Sequence, residues 1–166
     1  MNRIAEFMKV SKNQYIKDFD ESFGDAAAAY ESIALPTRAT SGSAGYDFKA
    51  PFGFTLTPGE TIKIPTGIRA KIDDGWVLMI YPRSGLGFKY HLQLNNTVGV
   101  IDSDYFGSDN EGHIMIKMTN CTNEGKTLSL AAGEGFAQGI FMPFGITVDD
   151  NATQVRNGGF GSTTKK

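Results

Sequence analysis

The sequence predicts an all-β fold, either a sandwich, a jelly roll or a barrel, with a short helical segment before it and a polar tail after it. The main observation is a series of short apolar segments from Ala39 to about Pro143. Turn signals such as Pro58-Gly59 and Asp74-Gly75 separate them at short intervals. Many short strands of this kind are typical of antiparallel sandwiches and barrels, and not of a parallel α/β sheet. Strands are expected at Tyr46–Phe48, Phe54–Leu56, Thr61–Ile64, Ile68–Ile72, Trp76–Tyr81, Leu92–Leu94, Val98–Ile101, Ile114–Met118, Leu128–Leu130 and Phe136–Phe141.

The segment before the strands, residues 11 to about 33, has a helical pattern. Ser11 can cap a helix, and aromatic residues recur at every fourth position from Tyr15 to Phe23. Gly24 is expected to interrupt this helix, and the alanines that follow favour a second turn or two. An aromatic stripe at this spacing indicates a packing face, either on the barrel or on a neighbouring subunit.

Composition and charge narrow the classes of function. The chain has 166 residues, of which 40% are hydrophobic and 20% are charged, as expected for one globular domain. The formal net charge of -2 gives no electrostatic basis for binding nucleic acid or a membrane. The single cysteine, Cys121, excludes a disulfide within the chain and a thiolate zinc cage. We expect a cytoplasmic protein, because no apolar run approaches the length of a membrane span and the N-terminus lacks a signal-peptide pattern.

The most informative stretch is residues 96 to 107, in which an apolar run is followed by two carboxylates and a tyrosine. Asp102 follows the apolar residues directly, so a strand could hold its carboxylate at the floor of a cleft as a general base. Tyr105 is close enough to present its ring to the same ligand. The same residues also suit a simple β-hairpin with a solvated Asp-Ser-Asp turn, and this stretch alone leaves both interpretations open.

A second candidate segment, residues 82 to 87, follows the strongest predicted strand and suits an anion. Arg83 offers a planar charged group, Ser84 offers a hydroxyl, and Gly85 allows backbone N–H groups to face phosphate oxygens. The segment is not a Walker A loop, because the Gly-Lys-Ser/Thr ending is absent. On its own it is equally compatible with an ordinary turn.

The polar, glycine-rich segment from residue 149 to 166 is expected to be a mobile tail in the free protein. Its one aromatic residue, Phe160, lies between two glycines and is followed by two hydroxyl side chains. This arrangement suits a lid that orders over a ligand. The alternative is a disordered tail in which Phe160 is incidental.

Taken together and in order, five segments resemble the motifs of the deoxyuridine triphosphatase family, the trimeric dUTP nucleotidohydrolases. The resemblance extends from about residue 35 to the C-terminus, and its specificity comes from finding all five motifs in the right order. The third motif matches most closely. The segments are 44–50 (AGYDFKA), 82–86 (PRSGL), 99–105 (GVIDSDY), 133–138 (GEGFAQ) and 158–163 (GGFGST).

The resemblance implies a jelly-roll-like β-barrel over residues 35–148. Residues 1–34 would be an N-terminal helical extension, and residues 149–166 a flexible arm that closes the active site. It also implies a homotrimer whose active sites are shared between subunits. The implied reaction is hydrolysis of dUTP to dUMP and pyrophosphate, which keeps uracil out of DNA and supplies dUMP.

The resemblance also implies roles for individual residues. Asp102 would activate water for in-line attack on the α-phosphorus, and Mg²⁺ would be held by phosphate oxygens and waters, one of them contacting Asp47. Tyr105 would pack under the deoxyribose, and Phe160 would stack on uracil. The other substrate-binding positions are Arg83, Ser84, Gly85, Gln138, Arg156, Ser162 and Thr163 for the phosphates, and Asn96, Gly99, Val100, Ile101, Met115 and Gly161 around the nucleoside.

The sequence departs from the family pattern in several places. Gly135 stands where the fourth motif usually carries a basic residue, so a structural ion pair of the family is missing or replaced. Arg156 lies one residue closer to the Gly-Gly-Phe than is usual, which puts its phosphate contact in doubt. The N-terminal segment and the loop from Ser108 to Gly112 lie outside the common core. His91 and His113 have no accompanying carboxylates at metal-ligand spacing, so structural or surface roles are expected for both.

Two other functions compete with this interpretation. A deoxycytidine triphosphate deaminase resembles the family in fold and in some motifs, but it would need a glutamate in the base pocket and would release ammonia. A non-enzymatic nucleotide-binding regulator would use the helical N-terminal segment to contact a protein. The presence of Asp102 and Phe160 argues against loss of catalysis, but not against an added binding role.

Overall fold

The computed structural model describes residues 2–154, 156 and 158. Within these residues the chain forms twelve strands and three short α-helices. The strands are β1 (Ala5–Lys9), β2 (Thr37–Arg38), β3 (Tyr46–Lys49), β4 (Phe54–Leu56), β5 (Thr61–Pro65), β6 (Ile68–Ile72), β7 (Trp76–Pro82), β8 (Leu92–Leu94), β9 (Gly99–Ile101), β10 (Met115–Asn120), β11 (Leu128–Leu130) and β12 (Gly135–Pro143). The helices are α1 (Lys12–Asp18), α2 (Ala26–Ser32) and α3 (Ser84–Tyr90), and 3₁₀ turns lie at Glu21–Phe23 and Ser103–Gly107.

The strands form antiparallel sheets, which confirms the all-β prediction. A five-stranded sheet has the order β2-β3-β12-β7-β9, and a three-stranded sheet has the order β5-β10-β8. Two further pairs, β1 with β6 and β11 with β4, complete the layers. The long central strands β7 and β12 pair over seven residues, so they form the frame from which the neighbouring loops project.

The alternation of side chains explains why these segments are strands with one buried face. In β5, Ile62 and Ile64 are buried while Lys63 between them is exposed. They face Met118 and Ile116 of β10 in register, so the apolar side chains of both strands meet on the core side. A period of two residues is what a half-buried strand requires.

The N-terminal segment is built into the same core. Tyr15 is 0% exposed and Phe19 is 8% exposed. The rings of Phe19 and Phe23 pack on Phe52, with centroids 5.5 Å and 4.5 Å away. The predicted aromatic packing face therefore lies on the barrel of its own chain.

The segment from 11 to about 33 is helical with an interruption, as predicted, but α1 already ends at Asp18 and α2 begins at Ala26. Ser11 caps α1 as predicted, because its side chain accepts a hydrogen bond from the backbone N–H of Gln14. The chain leaves the helix after Asp18, and Gly24 has a φ of 110°, which a helix does not allow. Strand β1 precedes these helices in the chain and pairs with β6, and the sequence did not predict it.

After β12 the described chain runs from Phe144 to Gln154 outside any strand or helix. It exposes apolar side chains, among them Ile146 and Val148. The lid prediction rests on Phe160 and the hydroxyls beside it, which lie outside the described residues. Over the part of the chain that the structure describes, the helices lack the length and apolar character that crossing a bilayer needs.

Candidate active site

A cavity of about 590 Å³ lies beside β9 and β10 and collects many of the residues that the sequence predicts to surround a nucleoside. The cavity is lined by the turn after β8, by Met115 and its neighbours in β10, and by Tyr105. The predicted site residues among its lining are Asn96, Gly99, Val100, Ile101, Tyr105, Met115 and Arg156. Lys63 and Lys117 also line the cavity, although the sequence did not predict them as site residues.

A tight turn at residues 95–97 contributes Asn95 and Asn96 to the lining of the cavity. Thr97 has a φ of 68°, and its N–H donates to the carbonyl of Leu94 at 2.9 Å. Gly99 then begins β9 against the side chain of Ile80, where an added Cβ would lie 3.0 Å from the Cβ of Ile80. The glycine is therefore needed for packing of β9 on β7, since a larger residue would push the strand outwards.

Asp102 directly follows β9 and lies at the N-terminus of the 3₁₀ turn Ser103–Gly107. Its carboxylate caps none of the backbone N–H groups of that turn in the described structure. Instead its Oδ2 accepts a hydrogen bond from Nη2 of Arg156 at 2.5 Å, while Nε of Arg156 donates to Asp104 at 3.0 Å. Of the two interpretations that the sequence left open, the simple β-hairpin with an Asp-Ser-Asp turn is therefore wrong, because the chain leaves β9 into a 3₁₀ turn. Its carboxylate is 42% exposed, so it is accessible to water.

Tyr105 is almost fully buried, and both functions of its hydroxyl group are used. The hydroxyl donates to the backbone carbonyl of His113 at 2.8 Å and accepts from Nδ2 of Asn110 at 2.8 Å. Burial raises the pKa of Tyr105 above its ordinary value, while the hydrogen bond from Asn110 opposes this. Because its hydroxyl is already hydrogen bonded within the protein, Tyr105 can offer its ring to a ligand in the cavity that it lines.

A second group of predicted site residues lies at the other end of β7. Nε of Arg83 lies 3.3 Å from Oδ1 of Asp47, and Nε2 of Gln138 donates to the carbonyl of Pro82 at 3.2 Å. Gln138 is paired across the strands with Asp47, so these side chains share one edge. Ser84 and Gly85, expected in a loop, form the first turn of α3.

Arg83 lies directly over Gly135. A Cβ at position 135 would come within 2.7 Å of Nη1 of Arg83. Gly135 therefore leaves room for the side chain of Arg83, which meets the carboxylate of Asp47.

The two groups are far apart within one chain. The antiparallel pairing of β9 with β7 places Ile101 opposite Leu78, and Arg83 follows Leu78 by five residues. Asp102 lies one residue beyond Ile101, on the side away from Arg83, so six residues of β7 separate the two positions. At the rise of an extended strand this is about 20 Å. One subunit alone does not bring the carboxylate of Asp102 and the guanidinium of Arg83 to the same small ligand.

Protein ligands for a metal are sparse. Among the described residues, no group of three or more His, Cys, Asp or Glu side chains could hold an ion.

His113, expected to be structural, is fully buried and hydrogen bonded to Asp18. Sequence spacing could not have paired these two residues, because 95 positions separate them.

Comparison with known proteins identifies what this arrangement resembles. The family model described as dUTPase matches residues 31–164. The deoxyuridine 5'-triphosphate nucleotidohydrolase of Lactococcus lactis is 45% identical over 134 residues, which cover 79% of this chain and 88% of the relative. The crystal structure of the dUTPase from Streptococcus mutans is 36% identical and covers 87% of this chain and 98% of its own, with a TM-score of 0.65. The jelly-roll-like β fold predicted from the sequence is thereby confirmed.

A solved structure of lower sequence identity was described with a magnesium ion. The dUTPase of phage phi11 of Staphylococcus aureus, in a D95N mutant described with a structural Mg(II) ion, has a TM-score of 0.63. It is 19% identical and covers 92% of this chain and 98% of its own, a likeness in fold alone.

Proposed function

Since this chain belongs to the dUTPase family, it is an enzyme that hydrolyses dUTP to dUMP and pyrophosphate, and we propose that Asp102 is its general base. The observation that carries this proposal is that Asp102 directly follows Ile101, the last residue of β9 and part of the cavity lining, and that its carboxylate is accessible to water. A carboxylate held there can orient a water molecule and accept its proton as the water attacks. Attack is in line on the α-phosphorus, and pyrophosphate leaves.

The cavity is the proposed site of the uracil and the deoxyribose. Its volume of about 590 Å³ lies within the range of small-molecule sites. Asn96 and the backbone of Gly99 to Ile101 would pair with the amide edge of uracil, and Met115 would line the pocket. The ring of Tyr105 would pack under the deoxyribose, where a 2′-hydroxyl would collide with it. Phe160 and Gly161 of the arm would cover the base from the other side.

The triphosphate requires cationic and hydrogen-bonding groups, because negative charge on its oxygens must be stabilised during the reaction. Arg83 is 45% exposed although it is paired with Asp47, so part of its guanidinium remains open to a ligand. Gln138 lies beside it, and the first turn of α3 offers backbone N–H groups that have no partner within the helix. The proposed phosphate-binding residues are Arg83, Ser84, Gly85 and Gln138 from the barrel and Arg156, Ser162 and Thr163 from the arm.

We propose that the enzyme is a homotrimer with active sites between subunits. The separation of about 20 Å between Asp102 and Arg83 in one chain supports this, because a single dUTP must meet both groups. The exposed apolar side chains of Ile146 and Val148 after β12 would be covered by a neighbouring subunit. In this arrangement residues 35–148 form the barrel, 149–166 form the arm that closes the site, and 1–34 form an N-terminal extension in which strand β1 pairs with β6 and the helices follow.

The residues present fit a magnesium ion that is held mainly by its substrate. Mg²⁺ commonly keeps several waters and binds one or two carboxylates together with phosphate oxygens. Asp47 is the proposed contact to one of those waters, since its carboxylate is 24% exposed and meets Arg83 through Oδ1. When bound, the ion would neutralise negative charge on the phosphate oxygens. We propose that the reaction takes place in the cytoplasm, where it keeps uracil out of DNA and supplies dUMP.

The test is the release of pyrophosphate from dUTP, dTTP, UTP and dCTP in the presence of Mg²⁺. We expect dUTP to have by far the highest kcat/KM, because a site that pairs the base edge rejects analogues that leave its polar groups unpaired. Comparable values for dUTP and dTTP would contradict the proposed pocket. Ammonia release from dCTP would instead indicate a deaminase.

A further inference from the structure

Two segments contact each other beside the proposed sugar site. The first is α1 with its cap, which precedes the residues that the family model matches, and the second is the loop from Ser108 to Gly112 together with His113, which follows it. Glu111 accepts hydrogen bonds from the backbone N–H of Ser11 at 2.7 Å and from its hydroxyl at 2.6 Å. At the other end of α1, Oδ2 of Asp18 lies 2.6 Å from Nδ1 of His113. The helix therefore spans the loop and holds it at both ends.

The hydrogen bonds of His113 define its protonation. The backbone N–H of Gly67 donates to Nε2 at 2.8 Å, so this nitrogen carries a lone pair and no proton. The ring proton is then on Nδ1 and is donated to Asp18. The imidazole is 0% exposed, and burial lowers its pKa, in accord with a neutral ring. Asp18 fixes the tautomer and the orientation of the ring, as a carboxylate commonly does for a histidine.

The backbone of His113 in turn holds Tyr105, because its carbonyl accepts the hydrogen bond from the tyrosine hydroxyl. The contacts form a short chain from the carboxylate of Asp18, through the ring and backbone of His113, to the ring of Tyr105 in the cavity. Asp18 also accepts a hydrogen bond from Nε2 of Gln14 within α1, at 2.7 Å, but other contacts anchor the helix as well. Tyr15 and the adjacent Phe19 are buried in the core, and Lys12 forms a separate ion pair with Glu31 at 2.9 Å.

We propose that Asp18 is a positioning residue for Tyr105 and thereby helps to set the preference for deoxyribose over ribose. This inference rests on the proposed function, in which Tyr105 packs under the sugar. Asp18 does not touch the substrate, and it acts through His113. The part of the chain that precedes the family motifs then contributes to specificity as well as to the core.

The experiment compares kcat/KM for dUTP and for UTP in Asp18→Ala and Asp18→Asn. The alanine variant leaves the buried Nδ1–H without an acceptor, and we expect the ratio of dUTP to UTP to fall roughly tenfold, as for loss of a hydrogen bond to a charged group. Asparagine still offers an oxygen to Nδ1–H, so its ratio should stay within about threefold of wild type. Lys12→Ala removes an ion pair of the same helix that does not reach the loop, and it serves as the control with an unchanged ratio.

A merely structural role would lower the thermal stability of Asp18→Ala and leave the ratio unchanged at temperatures where the variant is folded. That result overturns the proposal. If Asp18→Ala does not fold, Asp18→Ser takes its place, because serine is too short to reach Nδ1 of His113 in the present geometry. Failure of the proposed function is distinguishable, because wild type would then release no pyrophosphate from dUTP.

Discussion

Substitution of Gly67 by alanine is expected to destabilise the protein strongly, because this glycine lies where the N-terminal helices meet the barrel. Gly67 has a φ of +71°, and an added Cβ would come 2.1 Å from Cδ1 of Ile33 and 3.3 Å from Cδ2 of Tyr15. Both neighbours are buried in the core, so neither can move into solvent. The substitution therefore imposes both backbone strain and a steric clash.

The magnitude follows from adding the two costs. A left-handed conformation costs an L-residue about 1–2 kcal/mol. Overpacking of a well-filled core costs typically about 1–3 kcal/mol. The free energy of unfolding should therefore fall by about 2–5 kcal/mol, and for a chain of this size each kcal/mol lowers Tm by about 2–4 °C.

The assay is thermal unfolding followed by circular dichroism at a fixed chain concentration, with Gly75→Ala as the matched control. Gly75 has a φ of +80°, and within the described residues no heavy atom lies within 4 Å of its added Cβ, so only the backbone cost applies. The double variant Gly67→Ala, Ile33→Val lacks the clashing Cδ1 and should recover part of the loss. Equal Tm values for the two alanine variants would refute the reasoning, because they would show that the N-terminal helices do not pack against Gly67.

Three further predictions concern the site and its surroundings. Asp102→Asn should lower kcat by a factor on the order of 10² to 10⁴, with little change in binding of a non-hydrolysable dUTP analogue; near-normal turnover would exclude Asp102 as the base. Tyr15→Phe should leave stability to urea unchanged or raise it by up to about 1 kcal/mol, since the buried hydroxyl of Tyr15 has no hydrogen-bond partner among the described residues; a clear loss would mean that a partner exists. Burial lowers the pKa of His113 below 6.5, so below that pH the unfolded chain binds a proton that the folded chain does not. Tm should therefore fall on acidification from pH 7.5 to 5.5, and the fall should be smaller in a folded His113→Gln variant.

Strands with a clear apolar pattern between turn signals could be predicted from the sequence. Ile68–Ile72, Leu92–Leu94 and Leu128–Leu130 have the expected bounds in the structure. The strand Ala5–Lys9 was missed because its pairing with one neighbour, and not an alternating pattern, makes it a strand. The helix Ser84–Tyr90 was missed because Gly85 and Gly87 disfavour a helix. Contacts with the rest of the fold nevertheless stabilise it.

The site residues can also be divided into those that the sequence predicts and those that only the fold brings together. Asn96, the strand from Gly99 to Ile101 and Tyr105 are close in sequence, so this one stretch was enough to predict that they surround one cavity. Asp102 follows Ile101 directly but is not among the lining residues. The contact of Arg156 with Asp102 spans 54 positions, and only the folded chain specifies it. The roles assigned to these residues in the reaction stay predictions, because they depend on a bound nucleotide.

Gly135 and the ion pair of Arg83 with Asp47 are best understood as one feature. A Cβ at position 135 would lie within 3.2 Å of three atoms of Arg83, so any larger residue there displaces the guanidinium from its present position. A basic residue at position 135 would also bring a second cation next to Arg83. Since the pair is partly exposed, it contributes at most about 1 kcal/mol to stability. Its consequence is orientation: the cation that balances Asp47 comes from the second motif, and the side chain proposed to bind phosphate is held in place before the substrate arrives.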